Sequence, residues 1–174
     1  MRELRGRAFH GKRSDCRAFS RRPATEYRPY SILDKSAALN LFDRWQTQRM
    51  KKTHDPVASK LLEDSRSYHL QALTGGEAMG LIGRVITVEG EIVGYTFGTP
   101  LNDDTFVVAL EVADPAIRGA ATYIFREFCR ELEAYTYINA MDDSGLPGLR
   151  RLKRSYHPCR LEPSFVLYRQ RIRH

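Results

Sequence analysis

Hydrophobic residues are spaced differently in the two halves of the chain. Up to about residue 78 they recur every three or four positions, the period of an α-helix, whereas later segments include short apolar runs of strand length. The predicted helices cover residues 7–22, 35–52, 56–75, 119–134 and 147–156, and the predicted strands cover 79–88, 91–99, 105–113, 135–140 and 164–171. Strands that alternate with helices after a hairpin indicate an α/β (α+β) fold, in which helices lie on both faces of a mixed sheet.

Capping and turn residues support these boundaries. Asp34 is typical of a helix N-cap, and Glu89-Gly90 is typical of a hairpin turn. Pro23 and Pro29 favour an extended segment between the first two helices. Three helices have an apolar face that we expect to be buried, formed by Ala38, Leu41, Phe42 and Trp45 in the second helix, Ala121, Ile124, Phe125, Phe128 and Leu132 in the fourth, and Leu149, Leu152 and Tyr156 in the fifth.

The length and composition fit one folded domain or a tight pair of small subdomains. The chain has 174 residues, of which 42% are hydrophobic. No uncharged apolar run approaches the roughly 20 residues of a membrane-spanning helix, and no charged-then-apolar leader opens the chain. The three cysteines, Cys16, Cys129 and Cys159, form no C-x-x-C pair, so we expect reduced thiols in the cytosol.

The net charge of +7 is distributed unevenly. Residues 1–30 carry nine Lys/Arg against three Asp/Glu, residues 150–174 carry eight against one, and residues 31–149 carry eleven against seventeen. If the two basic ends meet in space, they form a surface for a polyanion such as RNA or an anionic membrane. The alternative is that both ends are arginine-rich and simply solvated.

Candidate chemistry is concentrated where the short strand before the last helix ends. Asn139, Asp142 and Asp143 follow this strand, and ligands of open α/β sheets commonly bind at the carboxyl ends of strands. On the last helix Lys153 lies at the edge of the apolar face, and Arg150 lies further round. Lys153 is therefore either an anion-binding or catalytic group, or a lysine whose stem covers the core.

Two central residues are further candidates. Glu111 interrupts the apolar strand at 105–113, so it is either part of a structural ion pair or a group that holds an amine or acts as a base. Gly119 opens the helix at 119–134, where a glycine either lets phosphate approach the helix N–H groups or allows close helix packing. The histidines lack metal-binding spacing, and the Walker, dinucleotide and G-x-S-x-G signatures are missing, so no metal is expected.

The end of the chain resembles the closing signature of the phosphatidylglycerol lysyltransferase C-terminal domain family. The pattern is Asn139-x-x-x-Asp143-x-Gly145-x-x-Gly148-Leu-Arg-x-x-Lys153-x-Ser155-Tyr156-x-Pro158. Upstream segments also resemble the family: Leu4–Asp15 with Phe19 is similar to its basic inter-domain helix, Gly94–Gly98 to a hairpin strand, and Glu111–Asp114 with Gly119 to a strand-to-helix junction. The resemblance extends over residues 3–168.

This resemblance implies a GNAT-like acyltransferase fold, of which the family has two copies in tandem. It implies that residues 1–30 are a basic helix and linker, and that residues 31–174 are the second acyltransferase domain. Family members with known activity pass an aminoacyl group from aminoacyl-tRNA to a hydroxyl or amine, which here implies a lipid acceptor. Because the ester is already activated, the protein chiefly has to align two substrates and stabilise an oxyanion.

The resemblance also implies roles for individual residues. The catalytic set is Lys153, Asp143 and Glu111, and the substrate-binding set is Arg150, Asn139, Gly119 and Tyr156. Lys153 would stabilise the tetrahedral intermediate or the departing ribose oxygen, and Arg150 would contact phosphate. Asp143 or Glu111 would hold the aminoacyl ammonium.

The resemblance implies no cofactor beyond the co-substrate, which is aminoacyl-tRNA or acyl-CoA. GNAT enzymes that use acetyl-CoA have Arg or Gln where this chain has Ala116, which disfavours acetyl-CoA. The implied partner is tRNA, with an anionic membrane surface, a first acyltransferase domain or a second copy as further candidates, and the implied location is cytoplasmic or peripheral at the membrane. Two alternatives stay open: an acyl-CoA-dependent N-acyltransferase, and a non-catalytic half that binds RNA or a partner.

Overall fold

A computed structural model describes residues 3–163 and residue 165 of the chain, which divides into the units 1–141 and 142–174. The strands are β1 Thr25–Pro29, β2 Ile82–Val88, β3 Glu91–Pro100, β4 Thr105–Ala113 and β5 Tyr137–Asn139. The helices are α1 His10–Ser20, α2 Lys35–Met50, α3 Pro56–Gly75, α4 Ala120–Glu131 and α5 Pro147–Arg154. Short 3-10 turns lie at Arg7–Phe9, Ile32–Asp34 and Glu77–Met79. The second unit contains α5, and the first contains all the other elements.

The strands form one mixed sheet in the order β1-β2-β3-β4-β5. Neighbouring strands are antiparallel except for β4 and β5, which are parallel. The predicted hairpin is confirmed: Glu89 and Gly90 have φ of 52° and 84°, the left-handed values of a tight two-residue turn. The predicted strand at 105–113 is confirmed as β4.

The two faces of the sheet have separate cores. On one side α2 and α3 pack on it, with Phe42, Leu73, Tyr95 and Phe97 buried among them. On the other side lie α1 and α4, where Phe19 joins the core of this face. Successive strand residues point to opposite faces, which is why one strand supplies side chains to both cores. This arrangement confirms the α/β (α+β) prediction with helices on both faces.

A buried polar pair lies within the α2–α3 side. The hydroxyl of Tyr95 lies 2.8 Å from Nδ1 of His69, and both residues are buried. Burial lowers the pKa of His69 to about 4, so the ring is neutral at physiological pH. His69 is thus a core residue with a hydrogen-bonding partner.

The first strand and the cap of α2 differ in part from the prediction. The extended segment before α2 forms β1, which pairs with β2 at the edge of the sheet. Asp34 is the N-cap residue of α2, as predicted, but its side chain makes no cap hydrogen bond to this helix. Ser31 caps the 3-10 turn that precedes α2. Asp34 instead accepts two hydrogen bonds from Arg28, at 2.7 and 2.8 Å, and these bonds lower the pKa of its carboxyl group.

Two predictions about buried helix faces are wrong at least in part, and one predicted strand cannot be compared. Ala121 was expected in the buried face of α4 but is exposed, while the other members of that face are buried. The apolar face predicted for α5 is not buried: Leu152 is 46% exposed, and Leu149 is half-buried. The strand predicted at 164–171 lies outside the described residues, apart from Phe165.

Candidate functional site

The short strand β5 pairs in parallel with only the first part of β4, at the edge of the sheet. Their paired residues are Thr105 with Tyr137, Phe106 with Ile138 and Val107 with Asn139. Beyond this point β4 continues to Ala113, so part of its edge extends past the end of β5. A register shift opposite Phe97 and Gly98 leaves Ala109 exposed as an extra residue in this part of β4. Bulges of this kind are common next to active sites because they redirect the strand.

Asn139 and Glu111 lie at different heights along this edge. Asn139 lies beside Val107, and Glu111 is four residues farther along β4, which is about 13 Å at roughly 3.3 Å per residue. The Oδ1 atom of Asn139 accepts a hydrogen bond from the backbone N–H of Met141 at 2.7 Å. The first unit therefore does not bring these two predicted site residues together, and Asn139 orders the chain that leaves β5.

Glu111 projects from β4 towards the α1–α4 side of the sheet. Its neighbours Leu110 and Val112 pack in the core of the opposite face, and Ala113 packs on the same face as Glu111. The Oε2 atom of Glu111 is buried. A buried carboxylate oxygen needs compensating interactions. Of the two alternatives predicted for Glu111, this favours the structural ion pair. Its role in catalysis stays a prediction.

Gly119 is the N-cap of α4, and its conformation is explained by helix packing. Its φ is 86°, and a Cβ atom at this position would lie 2.1 Å from the backbone oxygen of Asp15 in α1. The side chains reinforce the contact, because Nε of Arg118 lies 3.0 Å from Oδ1 of Asp15. The backbone of α1 thus lies directly against the first residue of α4. Substrate binding by Gly119 stays a prediction, but packing alone accounts for the glycine.

The second unit brings three predicted site residues into one hydrogen-bonded cluster, formed by Asp142, Asp143, Arg150 and Lys153. Arg150 donates two bonds to Asp143, from Nε at 2.7 Å and from a terminal nitrogen at 3.3 Å. The ammonium of Lys153 donates to the backbone oxygen of Asp142. The Arg150 guanidinium lowers the pKa of Asp143, and the charge of Lys153 acts in the same direction.

The loop before α5 fixes this cluster through short-range bonds. Oδ1 of Asp142 accepts the backbone N–H of Ser144 at 2.8 Å, and Oδ1 of Asp143 accepts that of Gly145 at 3.0 Å. Ser144 and Gly145 have φ of 49° and 71°, a left-handed pair that such aspartate bonds favour. Lys153 is half-buried, but α5 has no buried residue. The position of the Lys153 side chain is therefore defined by its contact with the loop and not by packing in a hydrophobic core. Tyr156 lies just beyond α5 and is half-buried.

Sequence reasoning missed the groups that α1 adds to the first unit. Lys12 is half-buried, and its pKa is lowered by burial while the charges of Asp15, Cys16 and Glu111 oppose the shift. Cys16 and Phe19 lie in the helix predicted at 7–22, but the sequence does not show which element they pack against. A contact across about a hundred residues, such as Asp15 with Arg118, leaves no local signal in the chain.

Among the described residues, 3–163 with 165, no helix is both long and apolar enough to cross a membrane. Within the same residues no group of three or more His, Cys, Asp or Glu side chains is arranged to hold a metal ion.

The strand order and the helices on both faces of the sheet define a GNAT-like fold, and comparisons with solved structures agree. A ribosomal-protein-alanine N-acetyltransferase from Brucella melitensis biovar Abortus 2308 has a TM-score of 0.57 at 15% identity, with coverage of 83% of this chain and 99% of that one. A possible acetyltransferase from Clostridium difficile 630 has a TM-score of 0.52 at 15% identity, with coverage of 86% and 99%. At this identity these likenesses show the fold alone.

The family is shown directly by the sequence. Residues 1–168 match the family "Phosphatidylglycerol lysyltransferase, C-terminal", and the chain belongs to it. A conserved protein of unknown function from Bacteroides thetaiotaomicron VPI-5482 is 35% identical, with a TM-score of 0.78 and coverage of 91% of this chain and 52% of that one. The chain thus spans about half the length of that relative. No curated protein matches the chain.

Proposed function

We propose that this domain transfers an aminoacyl group from an aminoacyl-tRNA to an acceptor hydroxyl or amine. The observation that carries the proposal is the contact of α1 with the N-terminus of α4. Helix N-termini hold phosphate because their N–H groups and the helix dipole favour negative charge. At this terminus the backbone oxygen of Asp15 packs against Gly119, and the carboxylate of Asp15 pairs with Arg118.

This contact disfavours coenzyme A as the acyl carrier. A pyrophosphate at the start of α4 would have to approach a glycine that already packs on the backbone of α1. The residue at the position of the usual Arg or Gln is Ala116, which offers no donor side chain. An aminoacyl-tRNA carries its activated ester on ribose and needs no pyrophosphate site at this helix.

The outer face of α1 supports an RNA partner. His10, Arg13, Arg17 and Arg21 recur at helical spacing and line a shallow groove of about 390 Å³ together with Ser14 and Ala18. Arg13, Arg17 and Arg21 place three positive charges along one side of this groove, and each phosphate contact releases counterions. Binding of tRNA to this face is therefore expected to weaken steeply as salt rises.

The cluster of the second unit supplies the chemistry. The acceptor oxygen or nitrogen forms a bond to the ester carbonyl carbon, and the bond from that carbon to the ribose oxygen breaks. Negative charge develops first on the carbonyl oxygen and then on the ribose oxygen, which takes up the proton lost by the acceptor. The Lys153 ammonium, held by the carbonyl of Asp142, would stabilise these charges. Arg150, bonded to Asp143, would contact a phosphate of the RNA.

Donor consumption tests the proposal. Purified protein is incubated with ¹⁴C-aminoacyl-tRNA and phosphatidylglycerol vesicles or a free amine, and in parallel with acyl-CoA and a thiol reagent. We expect loss of aminoacyl ester above the rate without protein, and no thiol release from acyl-CoA. Thiol release without ester loss would overturn the proposal in favour of an acyl-CoA-dependent N-acyltransferase.

One observation favours a second candidate, a non-catalytic half that only binds RNA. Asp143 and Arg150 already satisfy each other through two hydrogen bonds. This candidate predicts that tRNA binds in a salt-sensitive way while neither donor is consumed. Filter binding at several salt concentrations, run beside the donor assay, separates it from the transferase.

A further inference from the structure

The inner face of α1 brings charged groups to the sheet. Lys12, Asp15 and Cys16 lie within one turn of each other and therefore on one side of the helix. Cys16 is buried, and the backbone oxygen of Asp15 lies 2.1 Å from the Cβ position of Gly119. Because Asp15 and Cys16 are turned inward, Lys12 is turned inward as well, and it is half-buried.

Glu111 lies on the face of the sheet that α1 and α4 cover, so it belongs to the same layer of side chains as the inner face of α1. Strand alternation directs it to the α1–α4 side, where Ala113 of the same strand packs with Phe19. Its Oε2 atom is buried. A carboxylate on the sheet and an ammonium on the helix that covers it attract each other strongly when both are partly buried, because water screens them little.

The charges of the layer are consistent with such an attraction. Burial lowers the pKa of Lys12, and Asp15, Cys16 and Glu111 counteract that shift. Burial raises the pKa of Cys16, and Arg126 of α4 opposes the shift. The charged and titratable groups around this layer include Lys12, Asp15 and Cys16 from α1, Glu111 from β4, Tyr123, Arg126 and Glu127 from α4, and Arg118 just before α4.

We infer that Lys12 is a positioning residue whose ammonium orients the Glu111 carboxylate and keeps it ionised at the part of β4 that extends beyond β5. Helix α1 then belongs to the site, with its outer face towards RNA and its inner face holding a carboxylate of β4. The placement of Glu111 stands on the structure alone, whereas its use in aminoacyl transfer rests on the proposed function.

Carboxyl titration by ¹³C NMR tests the pair without any substrate. Glu111→Gln identifies the Glu111 signal in protein labelled at glutamate carboxyls. We expect Lys12→Met to raise the pKa of Glu111 by about 1 unit or more, and Lys12→Arg, which keeps the charge, to restore most of the shift. The matched control is Lys60→Met, which removes an exposed lysine paired with Asp64 in α3 and should leave Glu111 unchanged. An unchanged Glu111 pKa in folded Lys12→Met would overturn the inference.

The reciprocal measurement keeps the test decisive if Lys12→Met does not fold. Glu111→Gln has nearly the same shape as the native residue, and it should lower the pKa of Lys12 further, as read from the lysine ε-carbon shift. An unchanged Lys12 pKa would reject the pair. If the donor assay shows transfer, Lys12→Met should also move the acidic limb of its pH profile upward, and Lys12→Arg should restore it. Absence of transfer with both titrations as expected would reject only the proposed function.

Discussion

The α1–α4 contact in the first unit and the Lys153 cluster in the second unit use charged residues in opposite ways. At the contact, Asp15 lies against a glycine N-cap, and the neighbouring side chains of Cys16 and Phe19 are buried. In the cluster, Arg150 is largely exposed, and the bonds join one loop to one short helix. A packed contact is expected to contribute mainly to stability, whereas an exposed cation contributes little to stability and is available to a substrate.

This difference separates the two places where an anion could bind. The start of α4 is the position at which the fold offers helix N–H groups, and α1 packs there. The cluster presents lysine and arginine side chains held by short loop bonds. In the proposed function, phosphate and oxyanion contacts therefore belong to the second unit and to the outer face of α1. Variants at the α1–α4 contact should lower stability, and variants in the Lys153 cluster should lower activity.

Removing the charge of Lys153 should have the largest effect of all on activity. We expect Lys153→Met to lower aminoacyl transfer by about 10²–10³, the range for loss of one electrostatic donor. The melting transition should change by less than about 0.5 kcal/mol, because the side chain packs against no buried residue of α5. Lys60→Met serves as the control and should keep both activity and melt. Normal transfer by Lys153→Met would end its catalytic assignment.

Gly119→Ala should have the largest effect on stability. The new Cβ atom would meet the Asp15 backbone oxygen at 2.1 Å, and the left-handed φ adds strain, so we expect a loss of roughly 2–5 kcal/mol in denaturant unfolding. Gly90→Ala is the matched control, since φ is 84° there but nothing lies within 4 Å of the Cβ position. It should cost only roughly 1–2 kcal/mol. Equal losses in the two variants would show that α1 does not pack tightly on α4.

His69 on the opposite side of the sheet shows what burial does to a titrating group. Its pKa is about 4 in the folded chain and 6.5 ordinarily, so the unfolded state binds more protons between these values. The free energy of unfolding should therefore fall as the pH drops from about 6.5 to 4, by about 3 kcal/mol, and be fully retained above that window. Urea titrations of wild type and His69→Gln across this range check it. Parallel pH profiles for the two proteins would rule out the buried neutral histidine.

The smallest effect is expected at the exposed ion pair of the cluster. Bonds from Arg150 lower the pKa of Asp143 below its ordinary 3.8. The contribution of the pair is thus present above that value and is lost as the pH falls through the lowered pKa. Arg150→Gln should return the carboxyl titration, followed by ¹³C NMR, towards the ordinary value. A titration that does not change would mean that the pair does not form in solution.

The sequence predicted the elements better than their contacts. The α2 stripe, the Glu89-Gly90 turn and β4 follow local periodicity and turn chemistry, and they are confirmed. Strand β1 was predicted only as an extended segment, because five residues with mixed polarity do not show whether they pair. Asp34 has the right residue type for a cap, but its carboxylate is used by Arg28.

The candidate site was predictable where its residues are close in the chain. Asp143, Arg150 and Lys153 lie within eleven residues, so one loop and one helix suffice to join them. Glu111 stood out as a charge in an apolar strand, but the α1 groups that face its layer come from about a hundred residues earlier. Gly119 illustrates the same limit. The sequence left two explanations for this glycine open, approach of a phosphate and close helix packing, and the contact with Asp15 supports the second.

The most direct test of the account is a titration of the isotope-labelled chain with coenzyme A, followed at the backbone amides of Gly119 and Ala120. The account predicts no saturable shift of these two signals up to millimolar ligand, because α1 lies against the N-cap of α4. A saturable shift centred on Gly119 and Ala120 would contradict it, since it would show that this helix terminus accepts the pyrophosphate of an acyl-CoA donor.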